Sequence, residues 1–270
     1  MKKMEIIDSH AHIYPAKIAD KATKAIGDFY NISMEISCGI GETLLKDGKE
    51  AGVSRFVVHS CATKSSQVHA INEFIYNEIK AHPEFIGFMT LHQDMTYEEV
   101  EKEVLWCLGN GFLGVKLHPD FQKFYIDEES AQKFYQVVEK IGKSFPILFH
   151  TGDDRYEYSA PKRLALMAKK YPNVSFIGAH FGGYRRWREV DVYLGLDNVY
   201  FDTCSSLAFI SKEEALSLIR KFGVDKFFFG TDFPMWNAKQ EISRFNELNL
   251  TEEEKEKIFS VNLKKLLNIK

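Results

Sequence analysis

Two histidines one residue apart, His10 and His12, follow a pair of isoleucines in Ile6-Ile7-Asp8-Ser9-His10-Ala11-His12. On an extended strand alternate side chains share a face, so Asp8, His10 and His12 point the same way. Two neutral imidazoles on one face can close on a single zinc, iron or nickel ion. The spacing alone says little, because two ordinary histidines on a polar strand face would read the same. Three later apolar runs change the weighing. Ile147-Leu148-Phe149 leads into His150, Phe176-Ile177-Gly178-Ala179 into His180, and Phe227-Phe228-Phe229-Gly230-Thr231 into Asp232. Histidines with one carboxylate are the donor set of an open, catalytic metal centre rather than of a closed thiolate cage. Such groups converging on one rim favour metal ligation over structural histidines.

Strands must carry these groups. Eight nearly continuous apolar runs read as strands buried on both faces of a parallel sheet: 5–12, 55–60, 85–91, 114–118, 146–150, 174–180, 199–203 and 226–232. Between them lie amphipathic patterns over 65–81, 97–108, 130–143, 161–171, 187–196 and 212–222. Thr96 with Glu99, and Ser211 with Glu214, have the spacing of capping boxes, and Gly142, Gly195 and Gly223 stand where helices end. Alternation of this kind predicts a (β/α)8 TIM-type barrel, which places its chemistry at the carboxyl ends of the strands. An open doubly wound sheet is second, since no glycine-rich phosphate loop follows any strand. Residues 13–51 exceed one helix. The pattern predicts an extra helix near 16–29, an irregular piece through Ile40 and a barrel helix near 42–51. The whole is expected to be a single barrel domain, 1–270, with an insertion around 13–41 overhanging its mouth and a closing helix over 251–270 packed outside.

Composition excludes other classes. The 270 residues carry a formal charge of −3, with no basic footprint for nucleic acid and no polybasic membrane patch. Cys38, Cys61, Cys107 and Cys204 are scattered without a Cys-x-x-Cys, which suits reduced thiols. The apolar run after Met1-Lys2-Lys3-Met4-Glu5 is too short and acid-interrupted for a signal peptide, and no window has the length of a membrane span. The expectation is a cytoplasmic protein acting on a small molecule, with no nucleic-acid or membrane partner and with homo-oligomerisation left open.

Asp8-Ser9-His10-Ala11-His12, Gly114-Val115-Lys116-Leu117-His118-Pro119, His150, Ala179-His180-Phe181-Gly182-Gly183 and Gly230-Thr231-Asp232-Phe233-Pro234 together resemble the amidohydrolase superfamily. More narrowly, they resemble the amidohydrolase-related family that contains aminocarboxymuconate-semialdehyde decarboxylase and related hydrolases. The resemblance runs from Ile6 to the last helix, where Asn262 also fits. It implies that His10, His12, His150 and Asp232 hold the metal, and that His180 and Asp232 are catalytic. One divalent ion is expected, zinc ahead of manganese or another divalent, lowering the pKa of bound water to roughly 7. Asp232 would take that water's proton, and His180 would polarise a carbonyl. Asp8 is the candidate partner that orients a liganding histidine, with a buried structural carboxylate as the plain alternative.

Lys116, His118, Arg185 and Arg186 are the expected substrate contacts, holding an anionic, carboxylate-bearing molecule. For Lys116 a hydrogen bond to Asp8 or another rim acid is the alternative, as is a carboxylated bridging lysine. For the arginines it is a solvated helix start. His59 could face either way, His92 ends the third strand as a further pocket candidate, and Cys61 and Cys204 read as inert buried thiols. Asp202 and Ser205 shape the pocket. The expected activity is metal-dependent hydrolysis, with non-oxidative decarboxylation on the same scaffold as the alternative and an inactive metal-binding barrel behind both. A TatD-type nuclease is disfavoured by Lys116 and Gly230, where that family carries glutamates.

Overall fold

The computed structural model describes residues 4–270; Met1, Lys2 and Lys3, on which the signal-peptide reading partly rests, lie outside the described residues. Eight parallel strands follow one another in sheet order: β1 (Ile7–His12), β2 (Arg55–His59), β3 (Phe85–Met89), β4 (Gly114–Leu117), β5 (Ile147–Phe149), β6 (Phe176–Gly178), β7 (Val199–Asp202) and β8 (Phe227–Phe228). Every expected strand is present, most of them shorter at the carboxyl end. The residues beyond those ends leave the ladder to build loops, and there the histidines and Asp232 stand. The seam between β8 and β1 is closed by backbone bonds from Ser9 to Phe229 (2.8 Å), Asp232 to His10 (2.9 Å) and His12 to Phe233 (2.8 Å).

The intervening helices are α1 (Ala19–Tyr30), α2 (Gly41–Ala51), α3 (Val68–Ala81), α4 (Tyr97–Gly109), α5 (Pro119–Gln122), α6 (Gln132–Ile141), α7 (Pro161–Lys170), α8 (Lys212–Phe222), α9 (Ala238–Asn246), α10 (Glu252–Glu256) and α11 (Asn262–Leu267). Thr96 and Glu99 form the reciprocal cap on α4, and Ser211 caps α8 through Glu214 N. The helix expected over 187–196 is instead a 3₁₀ segment, Trp187–Tyr193. Its buried residues Val190 and Tyr193 are three apart, a spacing that eclipses side chains on a 3₁₀ turn. α9 is not among the amphipathic patterns of the sequence; Asn237 starts it by accepting from Gln240 N.

Two apolar layers hold the barrel. The larger lies between strands and helices. The smaller fills the interior with Val57, Phe88, Leu148, Ile177 and Phe228, and Leu263, Leu266 and Leu267 of α11 join it. The closing helix is therefore not simply packed outside. Its apolar face completes the inner layer, and Asn262 Nδ2 ties it to β8 through the Val224 and Phe227 carbonyls. Val57 and Leu148 lie two residues before His59 and His150. Strand alternation thus puts the apolar floor and the imidazoles above it on the same inward face.

Candidate functional site: a buried histidine–carboxylate centre

His10 Nε2, His12 Nε2 and Asp232 Oδ1 form a nearly regular triangle with sides of 3.3, 3.5 and 3.5 Å. A point equidistant from three such atoms lies about 2 Å from each, the length of a zinc–nitrogen or zinc–oxygen bond. Asp232 is fixed for this by a left-handed backbone (φ 63°), an N–H donated to His10 O, and Ser205 Oγ–H donated to Oδ2 at 2.5 Å. Strain of this kind at a non-glycine residue collects at functional sites.

The orientation of His10, His150 and His180 follows from the outer nitrogen of each. His10 Nδ1 meets Asp202 Oδ2 at 2.8 Å, which leaves the Nε2 lone pair facing inward. His150 Nε2 meets Gly152 O at 2.8 Å, leaving Nδ1 as the inward lone pair. His180 Nδ1 lies 3.2 Å from Cys204 O, which leaves Nε2 inward. Buried liganding histidines are commonly fixed by such outer partners. His150 Nδ1 and His180 Nε2 then confront each other at 2.9 Å. Two lone pairs at that separation need a proton or a cation between them, and the triangle of His10, His12 and Asp232 is the part of the donor set whose spacing fits a bound ion. Burial first, then the Lys116 ammonium and neighbouring imidazoles, push His10, His118 and His150 well below the ordinary histidine range and His12 to about 3. Neutral imidazole is the liganding form.

Asp8, the partner expected from the sequence, does not orient the His10 ring. A bulge in β1 between Asp8 and Ala11 turns its carboxylate to the seam. There it accepts from Thr231 N (3.0 Å), Thr231 Oγ1 (2.5 Å) and His10 N (3.0 Å), clamping the loop that carries Asp232. Burial raises it to about 7. The orienting role falls to Asp202, whose other oxygen accepts from His180 N at 2.8 Å. Asp202 was legible as one more polar group at a strand end, but nothing in the sequence linked it to His10. Gly152 (φ 80°) allows the β5 and β6 loops to meet, since a Cβ there would sit 2.5 Å from Tyr184 N.

The expected substrate contacts divide. Lys116 is fully buried with Nζ 2.9 Å from His10 Nε2, not on Asp8 or a rim acid. His118 lines the chamber, its Nε2 2.8 Å from Tyr30 Oη and its ring stacked between Phe121 and His150. Arg185 lies over the Phe209 ring at 3.7 Å. Arg186 is drawn off to Glu189 and Glu157, each at 2.8 Å, and stands outside the chamber wall. Two carboxylates saturate its guanidinium, so the gripping role expected of it does not fit. His92 is buried in the loop that follows β3, beside Asp94. Cys204 is buried with its thiol pushed up by burial, as an inert group should be.

A cover completes the site, drawn in part from residues 13–41. Ile26 and Tyr30 of α1 and Met34 beyond it join Phe121, Pro234 and Met235 over the histidines. The chamber they leave is only about 20 Å³, room for about one water or ion. Arg155 fastens the end of α1. It pairs with Asp153 at 2.7 Å, lies over the Phe29 and Tyr30 rings and donates to Phe29 O. Beside the chamber, and sharing His12, Ile26 and Phe121 with it, opens a groove of about 690 Å³ lined by Tyr14, Ile18, Phe29 and Phe74.

A closed parallel barrel with a histidine–carboxylate centre at the carboxyl ends of its strands defines a class of metal-dependent enzymes. The family model described as Amidohydrolase matches residues 7–269, and the chain belongs to that family. Among solved structures it is similar to 5-carboxyvanillate decarboxylase from Sphingomonas paucimobilis (12% identity, 99% of this chain and 100% of that one, TM-score 0.78). It is also similar to a dihydroxybenzoic acid decarboxylase from Polaromonas sp. JS666 with bound manganese and 2-nitroresorcinol (17%, 98% and 97%, TM-score 0.75). An uncharacterised TIM-barrel protein from Bordetella bronchiseptica matches at 19% identity, 98% of each chain and TM-score 0.80. At these identities the likeness shows the fold alone. Among curated protein sequences none matches this chain.

Proposed function

We propose that the protein is a metal-dependent, non-oxidative decarboxylase of a small conjugated or aromatic carboxylic acid. This replaces hydrolysis, the activity expected first from the sequence. The observation that carries it is the chamber's cover: Ile26, Met34, Phe121, Pro234 and Met235 face the centre, and Asp232 is the acid in its wall. A carboxylate brought under that roof exchanges its hydration for apolar neighbours, which disfavours the charged acid relative to neutral carbon dioxide. The manganese-bound and carboxylate-directed neighbours of the same fold support this reading.

His10, His12, His150 and Asp232 would hold one divalent ion, with manganese as well supported as zinc. When bound, the ion supplies a Lewis acid that fixes and neutralises the anionic substrate. The chain's own residues do the rest. Asp202 and the Gly152 carbonyl hold the imidazole tautomers, and Lys116 adds a buried positive group on the floor. The carbon–carbon bond breaks with its electron pair left on the substrate carbon, which then takes a proton. Asp232, with His180 beside it, is placed to hold that proton. Substrate reaches the centre only if α1 shifts, because the chamber as it stands is too small. The free cysteines suit a reducing compartment, and we place the enzyme in the cytoplasm as a single-domain barrel whose residues 13–41 are an insertion over the mouth.

Hydrolysis remains the second reading, since the chamber has room for one water. Manganese- and zinc-loaded protein incubated with aromatic and enoic acids in deuterium oxide should release carbon dioxide and leave one deuterium on the former carboxyl carbon. Ester, lactone and amide turnover with ¹⁸O-water incorporation, and no carbon dioxide from any acid, would reverse the assignment.

A further inference from the structure

His59, the last residue of β2, is fully buried, and neither of its ring nitrogens has a hydrogen-bond partner. Four other histidines of the site are tied down: His10 by Asp202, His118 by Tyr30, His150 by Gly152 O and His180 by Cys204 O. A buried imidazole with its N–H and its lone pair both unused costs folding stability, at least several-fold in the equilibrium, and such orphans call for a missing partner. The surroundings narrow what that partner is. His59 pairs in register with His12 across the β1–β2 ladder, and its ring stands edge-on to His12 at 4.4 Å and to His10 at 4.9 Å. One ligand atom from each of His10, His12 and His59 falls within 4.8 Å of the other two. Below it the floor is apolar, with Val57 on the same strand, apart from the Lys116 ammonium, which is engaged by His10 Nε2 at 2.9 Å.

We propose that His59 supplies a further nitrogen ligand, from strand two, to the ion carried by His10 and His12. The proposal rests on the metal reading given above. It makes the centre richer in imidazole than the four residues named there. The preference would shift toward ions that accept nitrogen donors, such as zinc or cobalt, over manganese.

Cobalt(II) titration of the metal-free full-length protein, followed by its visible absorption bands and by X-ray absorption at the cobalt edge, tests this without any substrate. If the wild type takes up no cobalt, zinc or manganese, the metal reading itself fails and this inference with it. If the wild type binds, His59→Asn and His59→Phe should weaken cobalt affinity by roughly 10- to 100-fold, shift the absorption bands and lower the imidazole count by one. Metal-free His59→Phe should melt no lower than the metal-free wild type, because it removes an unpaired polar group. A residue retained only for packing would show the opposite pair: unchanged cobalt affinity and spectrum, with a lower melting temperature. That outcome overturns the proposal and leaves the metal reading standing. Should one variant fail to fold, the other carries the same spectroscopic test.

Discussion

Replacing Asp202 by Asn alters hydrogen bonding at the centre of the site while hardly changing volume. Asp202 is fully buried and serves two nitrogen donors, His10 Nδ1 through Oδ2 and the His180 amide through Oδ1, each at 2.8 Å. A carboxylate accepts on both sides, whereas a carboxamide accepts on one and donates on the other. If the amide oxygen faces His180 N, the NH₂ faces His10 Nδ1. His10 must then give up its Nδ1 proton and carry it on Nε2, the atom that faces Asp232. If the amide is turned round, the buried His180 amide is orphaned. A hydrogen bond to a charged group contributes roughly 1.5–3 kcal/mol, so metal affinity should fall about 10- to 150-fold. Equilibrium dialysis against manganese gives the affinity, and ¹⁵N-histidine spectra of the metal-free protein give the tautomer. Affinity within twofold of wild type, with the His10 proton still on Nδ1, would refute the orienting role and the tautomer argument built on it.

Tyr30→Phe removes the hydroxyl that holds α1 to His118 and should cost about 0.5–1.5 kcal/mol of closure. Hydrogen exchange over Ala19–Tyr30 should quicken by about 2- to 12-fold, and unchanged exchange would show that α1 is not held down there. Glu241 is almost fully buried, and burial raises it from an ordinary 4.5 to about 7 in spite of Arg244. The folded protein keeps this proton where the unfolded chain has lost it. Stability linked to Glu241 is therefore complete below about pH 4.5 and declines as pH rises through 7, by up to about 3 kcal/mol. Urea unfolding of wild type and Glu241→Gln at pH 5 and pH 8 should show the variant gaining relative stability at the higher pH, and an equal difference at both would contradict the burial argument.

The architecture was legible in the chain because each strand of a parallel barrel is buried on both faces and writes itself as an apolar run. The place of the chemistry was legible for a related reason. His150, His180 and Asp232 each follow such a run, and barrels expose only the carboxyl ends of their strands to a shared mouth. Alternation along β1 also brought His10 and His12 to one face. Pairings across long sequence separations were not legible. Asp8 and Asp202 are both carboxylates on barrel strands, yet His10 turns to the one 192 residues away, because a local bulge and the β8–β1 seam engage the nearer one. Arg186 looked free to grip a substrate until folding set Glu157 beside it. The helix over 19–30 was foreseeable from its periodicity, but not that Tyr30 reaches His118, or that Arg155 clasps its end. Periodicity records which side of an element is buried, and only closure of the chain decides what that side meets.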